Sequence, residues 1–162
     1  MNFVLLLHNI EKSTNLGQMI RTANALGTTE ICVVGKKKFS SYGNKKTQST
    51  TKFRHFYKFV DARDYYQQEE YDVVGVEITE QSLSINEHTF TKSTVFVLGN
   101  EGIGINDNAL ALCDYCVYIP QFGTGASLNV NVASGIVLNA FVSSCGFTHN
   151  KIVHKKFVKA DS

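Results

Sequence analysis

The sequence has no tryptophan, only one proline and only four cysteines among its 162 residues. Four cysteines are too few to form a disulfide framework in a chain of this size. The Cys-x-x-Cys pair formed by Cys113 and Cys116 lacks the second pair that would complete a zinc site. No apolar run approaches the roughly 18 residues that a membrane span needs. We therefore expect a soluble, cytoplasmic protein that holds no metal and enters no membrane.

Acidic residues are absent from one long stretch, although the formal net charge is only +2. Residues 36–58 contain eight of the 16 lysines and arginines, interleaved with aromatic residues, and a second basic cluster occupies residues 149–156. Such a run is either a solvated face or a nucleic-acid surface, because basic groups neutralise phosphates and aromatic rings stack on bases. We favour nucleic acid. The predicted RNA-binding residues are Lys36, Lys37, Lys38, Lys45, Lys46 and Arg54.

Short apolar runs alternate with helical patterns along the chain. The runs lie at residues 3–7, 31–34, 73–76, 95–98 and 116–119, and the helical patterns at 15–26, 61–70, 106–112 and 127–145. Runs without polar alternation are typical of strands buried on both faces. We expect one α/β domain over residues 1–162, with a mainly parallel sheet and helices on both faces. The first helix is expected to have Thr14 or Asn15 as its N-cap and to stop at Gly27, and the last to have Ser127 as its N-cap.

The predicted last helix is apolar around most of its circumference. One stripe consists of Leu128, Val132, Ile136 and Phe141, and another of Val130, Ala133, Val137 and Ala140. The core of one domain rarely buries so much of a helix, whereas a subunit interface supplies a second apolar partner. We therefore expect a homodimer.

Three segments combine glycine with polar residues, at 14–23, 98–105 and 119–135. The middle segment follows a predicted strand and precedes a helix, which is where α/β sheets bind ligands. Its glycine order, G-x-x-G-x-G, differs from the dinucleotide-binding G-x-G-x-x-G, and the chain has no G-K-[ST] phosphate loop. A nicotinamide or ATP site is therefore poorly supported.

Together, these segments resemble the motifs of the SpoU/TrmH branch of the SPOUT methyltransferase superfamily. The matching residues are Asn15, Gly17, Arg21, Thr22 and Ala23 in the first segment, Gly99, Glu101 and Gly104 in the second, and Ile119, Pro120, Gly123, Ser127, Leu128, Asn129 and Val130 in the third. The resemblance implies a deep C-terminal trefoil knot, a homodimer, bound S-adenosylmethionine, and methyl transfer to the 2′-hydroxyl of a ribose in tRNA or rRNA. The "GVE" at 75–77, with "GNE" and "IPQ", is similar to enzymes that modify a guanosine in the D-loop of tRNA.

The resemblance also implies roles for individual residues. The candidate catalytic residues are Asn15, Arg21, Glu101, Ser127 and Asn129; the candidate cofactor-binding residues are Leu98, Gly99, Asn100, Gly102, Ile119, Gln121, Ser127 and Leu128. Arg21 is expected to lie beside the methyl acceptor, facing the partner subunit's cofactor, and Glu101 to orient Asn15 or Arg21. Asn15 could also cap its helix, and His8 is expected to be structural.

Two other interpretations remain open. The chain could be a non-catalytic RNA-binding dimer of the same fold, or a knotted methyltransferase that modifies a base or a pyrimidine ribose. The family's frequent N-terminal RNA-binding extension is missing, so we expect the domain to recruit RNA itself, through a partner, or as part of a longer chain.

Overall fold

The computed structural model describes residues 1–35, 51–125 and 127–159. Its strands are β1 (Phe3–His8), β2 (Glu30–Val34), β3 (Phe53–Phe56), β4 (Asp72–Val76), β5 (Leu83–Ser84), β6 (Thr94–Leu98), β7 (Tyr115–Tyr118), β8 (Lys151–Val153) and β9 (Lys156–Val158). Its helices are α1 (Ser13–Ala25), α2 (Phe59–Gln68), α3 (Asp107–Leu112) and α4 (Val130–Ser144). Every apolar run that was predicted to be a strand forms one, to within one residue at either end.

Strands β1 to β7 form one sheet in the order β3-β2-β1-β6-β4-β7-β5. Each pairing between neighbours in this sheet is parallel. All six residues of β1 are buried, as expected for a central strand that is covered on both faces. The predicted mainly parallel α/β sheet is therefore confirmed.

Two apolar clusters cover the two faces of the sheet. Alternate residues of β1 point to opposite faces, so Phe3 and Leu5 join one cluster whereas Val4 and Leu6 join the other. The first cluster includes the apolar side of α1 and of α4, and the second includes α2 and α3. At the centre of the first cluster, Phe141 of α4 packs edge-on against the rings of Phe3, Phe90 and Phe96. The prediction of helices on both faces is confirmed.

The predicted N-caps of the first and last helices are wrong. Helix α1 begins at Ser13, two residues early, and its N-cap position is Lys12, which has no capping side chain. Helix α4 begins at Val130 and its N-cap is Asn129, whose Oδ1 accepts hydrogen bonds from the backbone N–H groups of Asn131 and Val132. Asparagine and serine are similarly good N-caps, so the choice follows from the position at which the helix starts: Asn129 directly precedes Val130. The expected stop at Gly27 is present, with φ of 91°.

Three elements of the fold were not predicted from the sequence. Strand β3 extends the sheet beyond β2, where Arg54 and His55 interrupt its apolar pattern. Strand β5 has two residues and forms the opposite edge. Strands β8 and β9 form a separate antiparallel hairpin whose residues are all exposed. In the described ranges, no helix is long and apolar enough to cross a membrane.

Candidate active site

A cleft of about 420 Å³ lies at the edge of the sheet where β4, β6 and β7 end. The carboxyl ends of parallel strands are the usual ligand-binding edge of α/β folds, and this volume is within the range of small-molecule sites. All eight predicted cofactor-binding residues line it: Leu98, Gly99, Asn100, Gly102, Ile119, Gln121, Ser127 and Leu128. Three candidate catalytic residues, Glu101, Ser127 and Asn129, line it as well.

A tight glycine loop after β6 forms one wall of the cleft. Asn100 and Gly104 exchange backbone hydrogen bonds of 3.1 and 2.8 Å. Asn100 Oδ1 also accepts from the backbone N–H groups of Gly102 and Ile103, at 2.8 and 3.2 Å. A Cβ added to Gly99 would overlap the backbone of Gly104. Only glycine therefore allows the two ends of this loop to come so close.

Glu77 is a lining residue that the sequence did not single out. It follows β4, and its Oε1 accepts from the N–H of Ile78 at 3.1 Å, whereas its Oε2 accepts from the N–H of Ile105 at 3.3 Å. Gly104 has φ of 72°, and a Cβ there would overlap the Glu77 carboxylate. Glu77 thus ties the end of β4 to the glycine loop. The signal for it was present, because Glu77 directly follows an apolar run, as the "GNE" segment follows the run at 95–98.

Other lining residues were also missed, namely Val76, Ile78, Ile103, Tyr118, Val130 and Ala133. Most of them are apolar and lie in or directly after a strand or at the start of α4, so local sequence does not distinguish them from core residues. Their shared position at one edge of the sheet is visible only once the strand order is known.

A chain of side-chain hydrogen bonds joins three candidate catalytic residues. Asn129 Nδ2 donates to Asn15 Oδ1 at 3.5 Å, and Asn15 Nδ2 donates to Glu101 Oε1 at 3.3 Å. Asn15 is buried inside α1, so the prediction that it caps this helix is wrong. Both ends of its amide are engaged, which fixes the orientation of the group beside the cleft.

The carboxylate of Glu101 lies at the N-terminal end of α1. It accepts hydrogen bonds from the backbone N–H groups of Glu11 and Lys12, at 3.4 and 3.2 Å, in addition to that from Asn15. Partial burial raises the pKa of this carboxyl, but the hydrogen bonds outweigh burial and leave the pKa below its usual value. Glu101 is therefore ionised, and it supplies the cap that α1 lacks locally.

Arg21 does not line the cleft. It is exposed on α1, and among the residues that the structure describes it has no hydrogen-bond or ion-pair partner. Its neighbours Gln18 and Thr22 both bond to Asn131: Asn131 Nδ2 donates to Gln18 Oε1 and Thr22 Oγ1 donates to Asn131 Oδ1, each at 3.3 Å. Arg21 thus lies on the exposed side of the α1–α4 pair.

Most of the predicted RNA-binding residues fall in one undescribed segment. Lys36, Lys37, Lys38, Lys45 and Lys46 lie outside the described residues. Arg54 is described, and it forms an ion pair with Glu30 at 3.0 Å while its guanidinium lies 4.2 Å over the ring of Tyr65. These interactions give Arg54 a role in holding β2, β3 and α2 together.

The remaining chemically distinctive groups are outside the lining of the cleft. His8 is 8% exposed and its ring packs 5.2 Å from that of Phe59; burial lowers its pKa, in keeping with a structural role. Cys113 and Cys116 are free, half-buried thiols beside Gly75. The neighbouring Cys113 side chain lowers the pKa of Cys116 to about 7.

Comparison with known proteins identifies the family of this chain. Residues 2–139 match the SpoU rRNA Methylase family. The chain belongs to this family. Its SpoU fold is similar to that of the methyltransferase AviRb from Streptomyces viridochromogenes in complex with the cofactor AdoMet, with a TM-score of 0.78 and 24% identity over 90% of this chain and 58% of that one.

Several curated relatives of this SpoU chain are named as tRNA methyltransferases. The tRNA (guanosine(18)-2'-O)-methyltransferase TARBP1 of Mus musculus is 33% identical over 144 residues, which are 80% of this chain and 8% of the mouse protein. The tRNA (guanosine(18)-2'-O)-methyltransferase of Aquifex aeolicus is 26% identical over 147 residues, which are 85% of this chain and 67% of the relative. The chain therefore spans a small part of the first relative and about two thirds of the second.

Proposed function

We propose that this chain is an S-adenosylmethionine-dependent methyltransferase that modifies the 2′-hydroxyl of an RNA ribose, and that its substrate is a guanosine of tRNA. The observation that carries the proposal is the meeting of the glycine loop after β6 with the chain of hydrogen bonds between Asn129, Asn15 and Glu101, in one cleft. Membership of the SpoU rRNA Methylase family and the names of the guanosine 2'-O-methyltransferase relatives support it.

The cleft fits S-adenosylmethionine in size and in chemistry. Leu98, Ile119 and Leu128 supply apolar surface for an adenine ring, whereas the loop around Gly99 supplies backbone groups at close range. Ser127 and Asn129 add neutral donors and acceptors that do not disturb a positive sulfonium. The bound cofactor would supply an activated methyl group, so the protein is left with binding and alignment.

Alignment of the ribose oxygen with the methyl group is the main catalytic task of these residues. Correct positioning can offset about 7 to 11 kcal/mol of a barrier. Asn129, Ser127 and Glu101 all line the cleft, and Glu101 also fixes the amide of Asn15, which makes it a positioning residue. The proton of the ribose hydroxyl passes to water or to a substrate phosphate, because asparagine and serine are not competent bases and the Glu101 carboxylate is held by hydrogen bonds from Asn15 and from the backbone before α1.

Arg21 completes the site from a second subunit in this proposal. Val132 and Ile136 form an apolar stripe on the outer side of α4, with exposures of 49% and 38%, and Leu128, which is 39% exposed, lies just before the helix. Such a stripe is typical of a protein interface. Pairing of two protomers through α1 and α4 would cover it and carry Arg21 towards the partner's cleft. There its permanent positive charge would hold substrate phosphate and stabilise developing alkoxide charge.

The SpoU family and the sheet order also support a threaded C-terminal part. We propose a single domain over residues 1–162 in which the segment from β7 onward forms a deep trefoil knot. In the sheet, β7 lies between β4 and β5, although both of these strands come before it in the sequence. A later part of the chain is therefore placed between two earlier strands. The predicted lysines of the 36–46 segment would face the RNA.

Two measurements test the proposed function. Titration calorimetry with S-adenosylmethionine should show binding; its absence would favour a non-catalytic RNA-binding dimer. Incubation with labelled cofactor and unmodified tRNA or rRNA, followed by mapping of the methylated nucleotide, should identify a guanosine 2′-O-methyl group in tRNA. A methylated base or pyrimidine ribose would instead support the alternative knotted methyltransferase.

A further inference from the structure

The hairpin of β8 and β9 stands apart from the rest of the fold. Its strands pair only with each other, in the register Lys151 to Val158, Ile152 to Phe157 and Val153 to Lys156. Every residue of both strands is exposed. A two-stranded hairpin without packing partners is marginally stable in water. We therefore expect a binding partner to stabilise the hairpin.

The charge of this region is entirely positive. Residues 115–160 contain no aspartate or glutamate, whereas the hairpin and its flank carry four lysines: Lys151, Lys155, Lys156 and Lys159. Within the part of the chain that the structure describes, none of these lysines forms an ion pair. Unpaired cations on an exposed strand fit a polyanion, and the exposed apolar residues of the same strands, Ile152, Val153, Phe157 and Val158, supply surface on which bases can pack.

The hairpin combines these cations with an aromatic ring. Phe157 lies in β9, and it is flanked by Lys155 in the hairpin turn and by Lys159 directly after the strand. Phe157 is 64% exposed, and the ring of His149 meets it edge-on at 6.1 Å. An exposed aromatic ring between two lysines is suited to stacking on a base while the lysines neutralise the flanking phosphates.

The hairpin is remote from the cleft of the same protomer. Helix α4 starts at the cleft and its 15 residues extend for about 22 Å before the hairpin begins. Phe147, just before the hairpin, packs 6.2 Å from Phe3 at the amino end of β1, at the opposite edge of the sheet. A partner that touches both regions must be large, as a folded RNA is.

We propose that the β8–β9 hairpin is a second RNA-binding element, which grips substrate RNA through Lys155, Phe157 and Lys159, away from the nucleotide that is methylated. The proposal rests on the proposed RNA methyltransferase function. It predicts a contribution to RNA affinity and KM, with kcat and cofactor binding left unchanged, because the hairpin does not touch the cleft.

The test compares K155Q/K159Q with the control R63Q/K92Q, which also removes two positive charges but on α2 and before β6. The probe is an unmodified tRNA transcript, with affinity measured by fluorescence anisotropy over a range of salt concentrations. K155Q/K159Q should weaken binding at least fivefold and flatten the slope of log Kd against log salt by about 0.7 to 0.9 for each phosphate that the lysines no longer neutralise. The control should stay within twofold of the wild type.

A second comparison tests the aromatic ring without changing charge. F157S should weaken tRNA binding at least threefold, whereas L83S, which removes an exposed leucine at β5, should not. Unchanged affinity in both hairpin variants would overturn the proposal, as would dissociation of a dimer by F157S in sedimentation, since the hairpin would then bind a second copy. Failure of wild-type protein to bind or methylate tRNA would instead refute the proposed function, so the two failures are distinguishable.

Discussion

Asn15 Nδ2 donates a 3.3 Å hydrogen bond to Glu101 Oε1, which joins a buried amide of α1 to the loop after β6 across 86 residues of sequence. The same carboxylate accepts hydrogen bonds from the backbone N–H groups of Glu11 and Lys12, just before α1. One acidic side chain therefore stabilises a helix and orients an amide beside the cleft. Its removal should affect both stability and catalysis.

The first prediction concerns the charge of Glu101. E101Q should lower the free energy of unfolding at pH 7 by about 1 kcal/mol, as expected for a helix cap on a partly exposed and therefore screened group. The folded state lowers the pKa of Glu101, so the contribution of its charge is present above the ordinary value of 4.5 and is lost as pH falls below it. Urea denaturation at several pH values checks this. A difference between wild type and E101Q that persisted well below that pH would contradict the assignment.

The second prediction concerns the close approach of Gly99 to the backbone of Gly104 in the glycine loop. G99A should abolish S-adenosylmethionine binding and destabilise the protein by about 1 to 3 kcal/mol, because the new Cβ overlaps the backbone of Gly104. G102A is a matched comparison, since a Cβ there meets only Asn100 Oδ1 at 3.4 Å. Its loss of affinity should be much smaller. Equal losses in calorimetry would show that backbone crowding at Gly99 is not the cause.

The third prediction places Arg21 at the cleft of the partner. R21A should lower methyl transfer roughly 100-fold while calorimetry shows unchanged cofactor binding, as expected for loss of a group that stabilises developing charge. A mixture of R21A and G99A subunits should recover about a quarter of wild-type activity. Half of the randomly formed dimers contain one subunit of each kind, and one of the two sites in such a dimer is complete. Absence of any recovery in mixed dimers would indicate that Arg21 serves its own protomer.

The fourth prediction concerns the apolar stripe of α4. V132K should convert a dimer to monomers in sedimentation, because a lysine would place a charge in the middle of the covered surface. L83K introduces the same charge at another exposed apolar position, at the edge of the sheet, and should leave the mass unchanged. A V132K protein that sediments as the wild type does would place the subunit interface elsewhere.

The fifth prediction concerns the cysteine pair. The neighbouring Cys113 side chain lowers the pKa of Cys116 to about 7, whereas burial raises the pKa of Cys32 to about 12. Alkylation by iodoacetamide should therefore modify Cys116 with a midpoint near pH 7 and leave Cys32 unmodified. C113S provides the control, because replacing the neighbouring thiol should shift the pH midpoint for labelling of Cys116. Peptide mass spectrometry identifies the labelled residue, and a midpoint near 9 would contradict the assignment.

Much of the fold could be predicted because its causes are local. The apolar runs at β1 and β6 have no polar alternation, and this alone indicates strands that are buried on both faces. Gly27 ends α1 through a backbone conformation that favours glycine. Strand β3 was missed because Arg54 and His55 interrupt its apolar run. The hairpin was missed because its residues are all exposed, so that burial imposes no regular apolar pattern on its sequence.

The amino-acid sequence by itself determined which motif residues to expect at a site and which segments become the central strands, because motif spacing and hydrophobic runs are properties of neighbouring residues. Only the tertiary structure decided that Asn129 caps α4 and bonds to Asn15 across 114 residues, that Glu101 caps α1, and that Glu77 braces the glycine loop. These interactions depend on which strand ends meet at one edge of the sheet. That order arises from packing the whole chain, and no local pattern encodes it.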